Sequence, residues 1–198
     1  MKIILGISGA SGVQMGACLL RALKEQNDCE VHLVVSRGAQ RTWELESPLP
    51  FSVLEEADYR YDEGDLAARI ASGSFVTDGM VILPCSMKTL SAIVHGYAAN
   101  LLIRAADVCL KERRKLVLCP REMPFGTVHL ANMLEASRLG CVVLPPMLTF
   151  YNRPSENAQK ADADGLSLRD QIDHIIGKIL MQFGLHHKAF RPWQGGGQ

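Results

Sequence analysis

No sign of charge dominates this sequence: Lys plus Arg number 21, Asp plus Glu number 21, and the formal net charge is zero. That balance excludes the basic footprint of a general nucleic-acid or membrane-surface binder, and it leaves little repulsion against self-association. No apolar stretch reaches the roughly 18 residues of a membrane span. No secretory leader is evident either, because the opening run Ile3-Ile4-Leu5 is short and leads into glycines, so a cytoplasmic protein is expected. None of the cysteines (Cys18, Cys29, Cys85, Cys109, Cys119 and Cys141) forms a Cys-x-x-Cys pair. Buried reduced thiols are expected, and a disulfide scaffold is not. Metal-ligand spacing is missing throughout; the pair His186-His187 is no metal motif and is expected to be solvated. Internal repeats and low-complexity tracts are missing as well.

What is present points to one sizeable core. The 198 residues are 47% hydrophobic, which fits a single α/β domain spanning 1–198, with about 186–198 as an extended C-terminal tail. Strand-like runs occur at Ile3–Ile7, Val31–Val35, Met80–Leu83, Leu116–Cys119 and Cys141–Leu144. They are apolar at nearly every position, as strands covered on both faces should be. Helical patterns separate them, at about Val13–Gln26, from Ser36 to Glu46, Met87–His95, Asn100–Glu112, Val128–Leu139 and Leu168–Phe183. Gly140 and Gly184 are stop signals for the last two. The alternation gives an α/β, Rossmann-like three-layer fold with a mainly parallel sheet. Ser47–Asp65 reads as loop with short helix, and Asn157–Gly165 as a solvated surface loop.

The first strand breaks into Gly6-Ile7-Ser8-Gly9-Ala10-Ser11-Gly12 before the first helix. Small residues expose backbone N–H groups, Ser8 and Ser11 add hydroxyls, and the helix contributes a positive end, which together make a phosphate cradle. A tight strand–helix connection alone is the competing reading. The glycines run G-x-x-G-x-x-G, unlike the dinucleotide fingerprint, and Val13 follows where a Walker A loop needs Lys. A mononucleotide such as FMN therefore fits better than NAD or ATP.

In an open parallel sheet the ligand lies beyond the carboxyl ends of the strands. Ser8–Gly12, Ser36-Arg37, Pro84–Thr89, Pro120–Phe125 and Pro145–Pro154 should therefore share one rim. Ser86 is either a cofactor ligand or an ordinary N-cap. In Pro120-Arg121-Glu122-Met123-Pro124, Glu122 suits a general acid or base and Arg121 a phosphate or flavin partner; a surface ion pair is the alternative. Arg104 stands in an otherwise apolar stretch, two helical turns before Lys111, where solvation and capping compete with binding. Tyr151 and Trp193 suit aromatic walls for a developing carbocation, or simple packing.

These segments together resemble the UbiX flavin prenyltransferase family. Besides the glycine loop, the matching pieces include Glu46, Pro84–Thr89, Arg104–Arg113, Leu116–Pro124, His129-Leu130, Pro145-Pro146 and 150–154. The likeness runs from about residue 2 to 194. The tail Arg191–Gly195 is similar to the branch paired with phenolic-acid decarboxylases. The resemblance implies a flavoprotein of the UbiX and cysteine-decarboxylase superfamily. It implies joining a dimethylallyl group from dimethylallyl monophosphate to N5 and C6 of reduced FMN, without metal. The product, prenylated FMN, serves a UbiD-type decarboxylase, and the family assembles as a dodecamer with sites at subunit contacts.

Carried over by position, Gly9, Ala10, Ser11, Ser36, Ser86, Met87, Lys88, Thr89 and Arg121 are expected to hold FMN. Arg104, Lys111, Tyr151 and Lys178 are expected to grip the prenyl phosphate, with Lys111 acting across a subunit boundary and Trp193 capping a neighbouring site. Glu122 is expected to handle protons, with Glu46 and Ser11 nearby. The missing D-D-x-x-D motif agrees with a metal-free reaction. Two departures stand out. Lys178 replaces the family's arginine and so loses the bidentate fork. Asn157–Ser167 looks like an insertion. Rival readings are a cysteine decarboxylase, whose P-x-M-N-x-x-M-W type motif is missing here, and a non-catalytic flavin carrier or accessory subunit of a phenolic-acid decarboxylase complex.

Overall fold

The computed structural model describes residues 1–151, 167–193 and 195. They cluster into two units, divided between Pro145 and Pro146. The tail residues 194 and 196–198, and the insertion at 157–166, lie outside the described residues.

The first unit is built on a six-stranded parallel sheet of order β3-β2-β1-β4-β5-β6. Its strands are β1 (Lys2–Ile7), β2 (Glu30–Val35), β3 (Tyr59–Tyr61), β4 (Gly79–Cys85), β5 (Lys115–Pro120) and β6 (Val142–Val143). Its helices are α1 (Gln14–Lys24), α2 (Arg37–Glu46), α3 (Met87–Val94), α4 (Leu101–Lys111) and α5 (Thr127–Arg138). Every residue of β4 is buried, as the continuous apolar runs require of strands covered on both faces. Alternation along β1 sorts the two faces. A Cβ on Gly16 of α1 would strike Ile7 Cδ1 at 2.6 Å, so α1 lies against the Ile7 face. One on Gly6 would meet Leu102 Cδ1 of α4 at 3.4 Å, so α4 covers the other. Helices on both faces make the three layers. The Gly16 contact also explains the small residue in α1: a side chain there would push the helix off the sheet.

Five of the six strands match the apolar runs. The exception is β3, inside the stretch read as loop with short helix; a 3-10 turn (Phe51–Glu56) precedes it. Three residues at a sheet edge carry too little alternation to be recognised. What fixes β3 is tertiary. His32 is fully buried, with Nδ1 2.9 Å from the Tyr61 hydroxyl and Nε2 2.7 Å from Glu30. Its ring stacks on Tyr59 at 4.9 Å. Just before β3, Asp58 takes Lys24 Nζ at 2.6 Å and the Val31 N–H at 2.8 Å. Burial raises the Asp58 pKa, but Lys24 and the Val31 N–H outweigh it and hold the carboxyl below its ordinary value.

The cysteines behave as small hydrophobes. None of the six forms a disulfide, and all but Cys18 are buried. Burial pushes Cys109 up to about 12 and Cys141 up to about 11, so neither ionises near neutral pH.

The second unit holds α6 (Leu168–Met181), capped by Ser167 Oγ accepting from the Asp170 N–H. His187 corrects the expectation of a solvated pair. It is 7% exposed, and its Nε2 lies 3.1 Å from Asp173 Oδ1, while Arg169 Nε donates to Asp173 Oδ2 at 2.9 Å. A carboxylate projecting from α6 draws this one histidine inward, which adjacency to His186 does not reveal.

Candidate active site

Strand order places the crevice. β1 pairs β2 on one side and β4 on the other, so the chains leaving β1 and β4 part there, at the topological switch point. A cavity of about 670 Å³ opens there, lined by Gly9, Ser36, Ser86, Lys88, Thr89 and Asn100 among others. That volume lies in the ~300–1,000 Å³ range usual for small-molecule sites. Segments after β1, β2 and β4 thus meet as expected, joined by the first turn of α4.

The two loop serines divide their labour. Ser8 is fully buried; its hydroxyl donates to Pro84 O at 3.0 Å and accepts from the Ser86 N–H at 2.7 Å. It ties the β1 loop to the β4 loop and offers nothing to a ligand, which corrects its reading as a cradle hydroxyl. Ser11 remains partly exposed. Gly9 passes so close to α2 that a Cβ would lie 2.8 Å from the Gly38 carbonyl carbon. Gly12 adopts φ +93°, a conformation that favours glycine.

The anion-binding position also shifts. The Gly12 N–H, at the start of α1, donates to Glu46 Oε2 at 3.2 Å, so a carboxylate already answers that helix end. This brings Glu46 beside Ser11 as expected, and it places a carboxylate at the loop ahead of α1. At α2, Ser36 Oγ accepts from the Ala39 N–H and Glu63 accepts from the Arg37 N–H at 3.0 Å. At α3, Ser86 Oγ accepts from the Thr89 N–H. The N–H groups of Met87 and Lys88 make no bond among the described residues. With the Lys88 ammonium beside them, they are the best anion cradle in the cavity. Ser86 is therefore both N-cap and cavity wall.

Sequence reasoning missed Glu63. Its carboxylate also accepts from Asn100 Nδ2 at 2.9 Å, and its carbonyl from the Leu101 N–H at 2.7 Å. Glu63 thus binds the starts of α2 and α4 into one wall. An acidic residue in an irregular, acid-rich segment gives no pattern that would single it out.

Arg121 and Glu122 follow β5, and both are exposed. The Arg121 N–H donates to Cys85 O at 3.1 Å, which docks this loop to the end of β4. Glu122 Oε1 accepts only its neighbour's N–H, from Met123 at 3.0 Å. No ion pair joins Arg121 to Glu122, so the surface-pair alternative fails. Among the matching pieces, His129 is a helix cap, with Nδ1 accepting from the Gly126 N–H.

Arg104 and Lys111 each carry a counter-charge. Arg104 donates to Asp107 Oδ2 at 2.6 Å and to Ala71 O at 3.1 Å, and Lys111 pairs with Glu112. Lys111 ends α4 and precedes β5, whereas Glu122 follows β5. Six strand residues span about 20 Å, so one chain does not bring Lys111 and Glu122 to one reaction centre.

In the second unit, Tyr151 is 44% exposed and Trp193 62%. Their rings meet edge to face at 5.4 Å, and the Tyr151 hydroxyl lies 3.1 Å from His174 Nε2. Lys178 follows His174 by one turn and is exposed. His174 had no motif to reveal it.

Such a switch-point cavity with an anion cradle defines a mononucleotide-binding α/β protein. The flavoprotein family model matches residues 1–180. A probable UbiX-like flavin prenyltransferase from Sedimentibacter hydroxybenzoicus is 57% identical over 98% of each chain. A dodecameric FMN-dependent UbiX-like decarboxylase from Escherichia coli O157:H7 superposes with TM-score 0.90 at 49% identity, covering 98% of this chain and 100% of that one. AnUbiX, in complex with FMN and dimethylallyl pyrophosphate, gives TM-score 0.89 at 42% identity over 99% and 98%. The chain belongs to the UbiX-like flavin prenyltransferases within the flavoprotein family.

Proposed function

We propose that the switch-point cavity holds reduced FMN and that this protein transfers a dimethylallyl group to it from dimethylallyl monophosphate. The observation that carries this reading is the cavity itself: Gly9 close to α2, hydroxyls at Ser36, Ser86 and Thr89, and open N–H groups at Met87 and Lys88. These fit a flavin mononucleotide, with the phosphate at α3. Gly9, Ala10, Ser11, Ser36, Ser86, Met87, Lys88, Thr89 and Arg121 are its proposed contacts. The reduced flavin supplies the nucleophile, and the protein's task is to position, shield and move protons.

Arg104, Lys111, Tyr151 and Lys178 are the proposed grip on the departing phosphate, where hydrogen-bonded cations answer the growing negative charge. Trp193 presents a π face to the allyl fragment. Glu122 is the proposed acid–base group, with Ser11 and Glu46 beside the same loop.

Assembly is part of this reading. Along α5, Leu130 and Leu134 stand one turn apart on one face and are each more than half exposed. An apolar helix face without a partner in its own chain suits burial against further copies, as in the dodecameric relative. A UbiD-type decarboxylase is the proposed recipient of the product. No helix of the described residues is long and apolar enough to cross a membrane. A cytoplasmic setting belongs to the same proposal, and cysteines that form no disulfide agree with it.

Anaerobic incubation with reduced FMN and dimethylallyl monophosphate, read by mass spectrometry of the extracted flavin, tests the function. Flavin heavier by one prenyl unit is expected. Unchanged flavin from folded, FMN-loaded protein would contradict it and favour a carrier.

A further inference from the structure

His174 belongs to no motif and has no role in the residue set above. It is 6% exposed, yet its Nε2 lies 3.1 Å from the hydroxyl of Tyr151, a residue 44% exposed. The two rings meet edge to face at 5.5 Å with an interplanar angle of 82°. Phe190 also packs against the imidazole, with ring centroids 5.1 Å apart, seated where α6 carries Gly177. A Cβ on Gly177 would fall 2.2 Å from Phe190 Cδ2, so this ring needs a glycine beneath it. The nearby charged groups are assigned: Asp173 holds His187 and Arg169, and Lys178 stands one turn on. The imidazole thus packs against two aromatic rings, with one nitrogen directed at the tyrosine.

We propose that His174 is a positioning residue that donates its Nε2–H to the Tyr151 oxygen, so that the Tyr151 O–H is aimed outward at the prenyl phosphate. This rests on the phosphate-binding role of Tyr151 proposed above. The chemistry leaves two arrangements. If His174 Nε2 accepts, the phenol proton is spent inside the protein and Tyr151 presents only lone pairs, which repel a phosphate. If Nε2 donates, the phenol oxygen is satisfied as acceptor and its proton is free for the phosphate. Donation into the oxygen also polarises the O–H and strengthens the outward bond as the phosphate gathers charge. Burial, helped by Lys178, lowers the His174 pKa and so favours the neutral ring, in which the tautomer decides the direction.

Solid-state ¹⁵N NMR of histidine-labelled parent protein reads the tautomer directly, with His174→Gln assigning the signal. A protonated Nε2 is expected, and a protonated Nδ1 with bare Nε2 would overturn the inference. Calorimetric titration of FMN-loaded protein with dimethylallyl monophosphate gives a second reading. His174→Leu should weaken binding about tenfold, the scale of one lost hydrogen bond to a charged group. Tyr151→Phe should do the same, the double variant should be no worse than either, and His174→Gln, which keeps a donor, should recover most of the affinity. Multiplying effects, or an unaffected His174→Leu, would overturn the inference. A parent with the Nε2–H tautomer but no affinity for the prenyl phosphate would sink the function, and this inference with it. A parent with affinity and the Nδ1–H tautomer would sink this inference alone.

Discussion

The flavin cavity and the set proposed to grip the prenyl phosphate are built differently. Around the cavity, side chains that shape the wall are tied to other segments of the same chain: Ser8 to the β4 loop, Glu46 to Gly12, Glu63 to α2 and α4. Among the proposed phosphate ligands the ion pairs are local, although Arg104 also reaches Ala71 O and Tyr151 meets His174. Arg104 pairs three residues on, Lys111 with the next residue, and Lys178 is exposed. Glu122, also exposed, accepts only the next N–H. The residues lining the cavity come from one chain, whereas the groups proposed for the chemistry are less enclosed, and the exposed apolar side chains of α5 are where further surface is proposed to attach.

The sharpest way to break this comparison is at Glu122. Glu122→Gln should slow adduct formation by about 10²–10⁴-fold while FMN still binds, measured by single-turnover mass spectrometry and flavin absorbance. A parental rate would make Glu122 a structural residue. Next is Gly9→Val, whose side chain collides with the Gly38 backbone. It should abolish FMN retention on gel filtration, whereas an unaffected flavin stoichiometry would move the cofactor elsewhere. Leu130→Asp with Leu134→Asp should split the assembly, read by light scattering, and cost activity far more than FMN binding.

Two smaller effects sharpen the picture of the scaffold. Ser8→Ala removes both bonds between the β1 and β4 loops and should cost about 1–3 kcal/mol in denaturant unfolding. His32 offers a pH reading. Burial lowers its pKa in the folded state, outweighing the raising effect of Glu30. The folded protein therefore binds fewer protons at His32 than the unfolded chain once pH falls below the ordinary histidine value. Stability should drop as pH falls from about 6.5, with this residue adding at most about 1.4 kcal/mol per pH unit, until the lowered folded pKa is passed. Asp58, also depressed, adds loss in the same direction at lower pH. His32→Gln should flatten the slope near pH 6, and an unchanged slope would remove His32 from the account.

Much of the fold was legible because its strands are uniformly apolar and its helices begin at Ser36, Ser86 and Asn100, each of which caps as its type suggests. The site's location followed from strand order and the glycine loop. What was hidden is tertiary. β3 depends on a buried histidine, and Glu63, His174 and Asp173 gain meaning only from partners far along the chain. Glu46, distant in sequence, reaches the Gly12 N–H ahead of α1, while the open N–H groups at α3 are the ones proposed for the phosphate. Spacing reveals residues that share an element. It does not reveal a side chain from one element that occupies the end of another.

Mixing subunits tests the central contrast most directly. Lys111 and Glu122 lie at opposite ends of β5, so a site using both, as proposed, would take them from different chains. Lys111→Ala and Glu122→Gln proteins, each nearly inactive alone, should regain prenylation of FMN when dissociated and reassembled together, because some sites then receive an intact Glu122 from one chain and an intact Lys111 from another. Mixed assemblies as inactive as their parents would show that each chain supplies both groups to its own site, and would contradict the account.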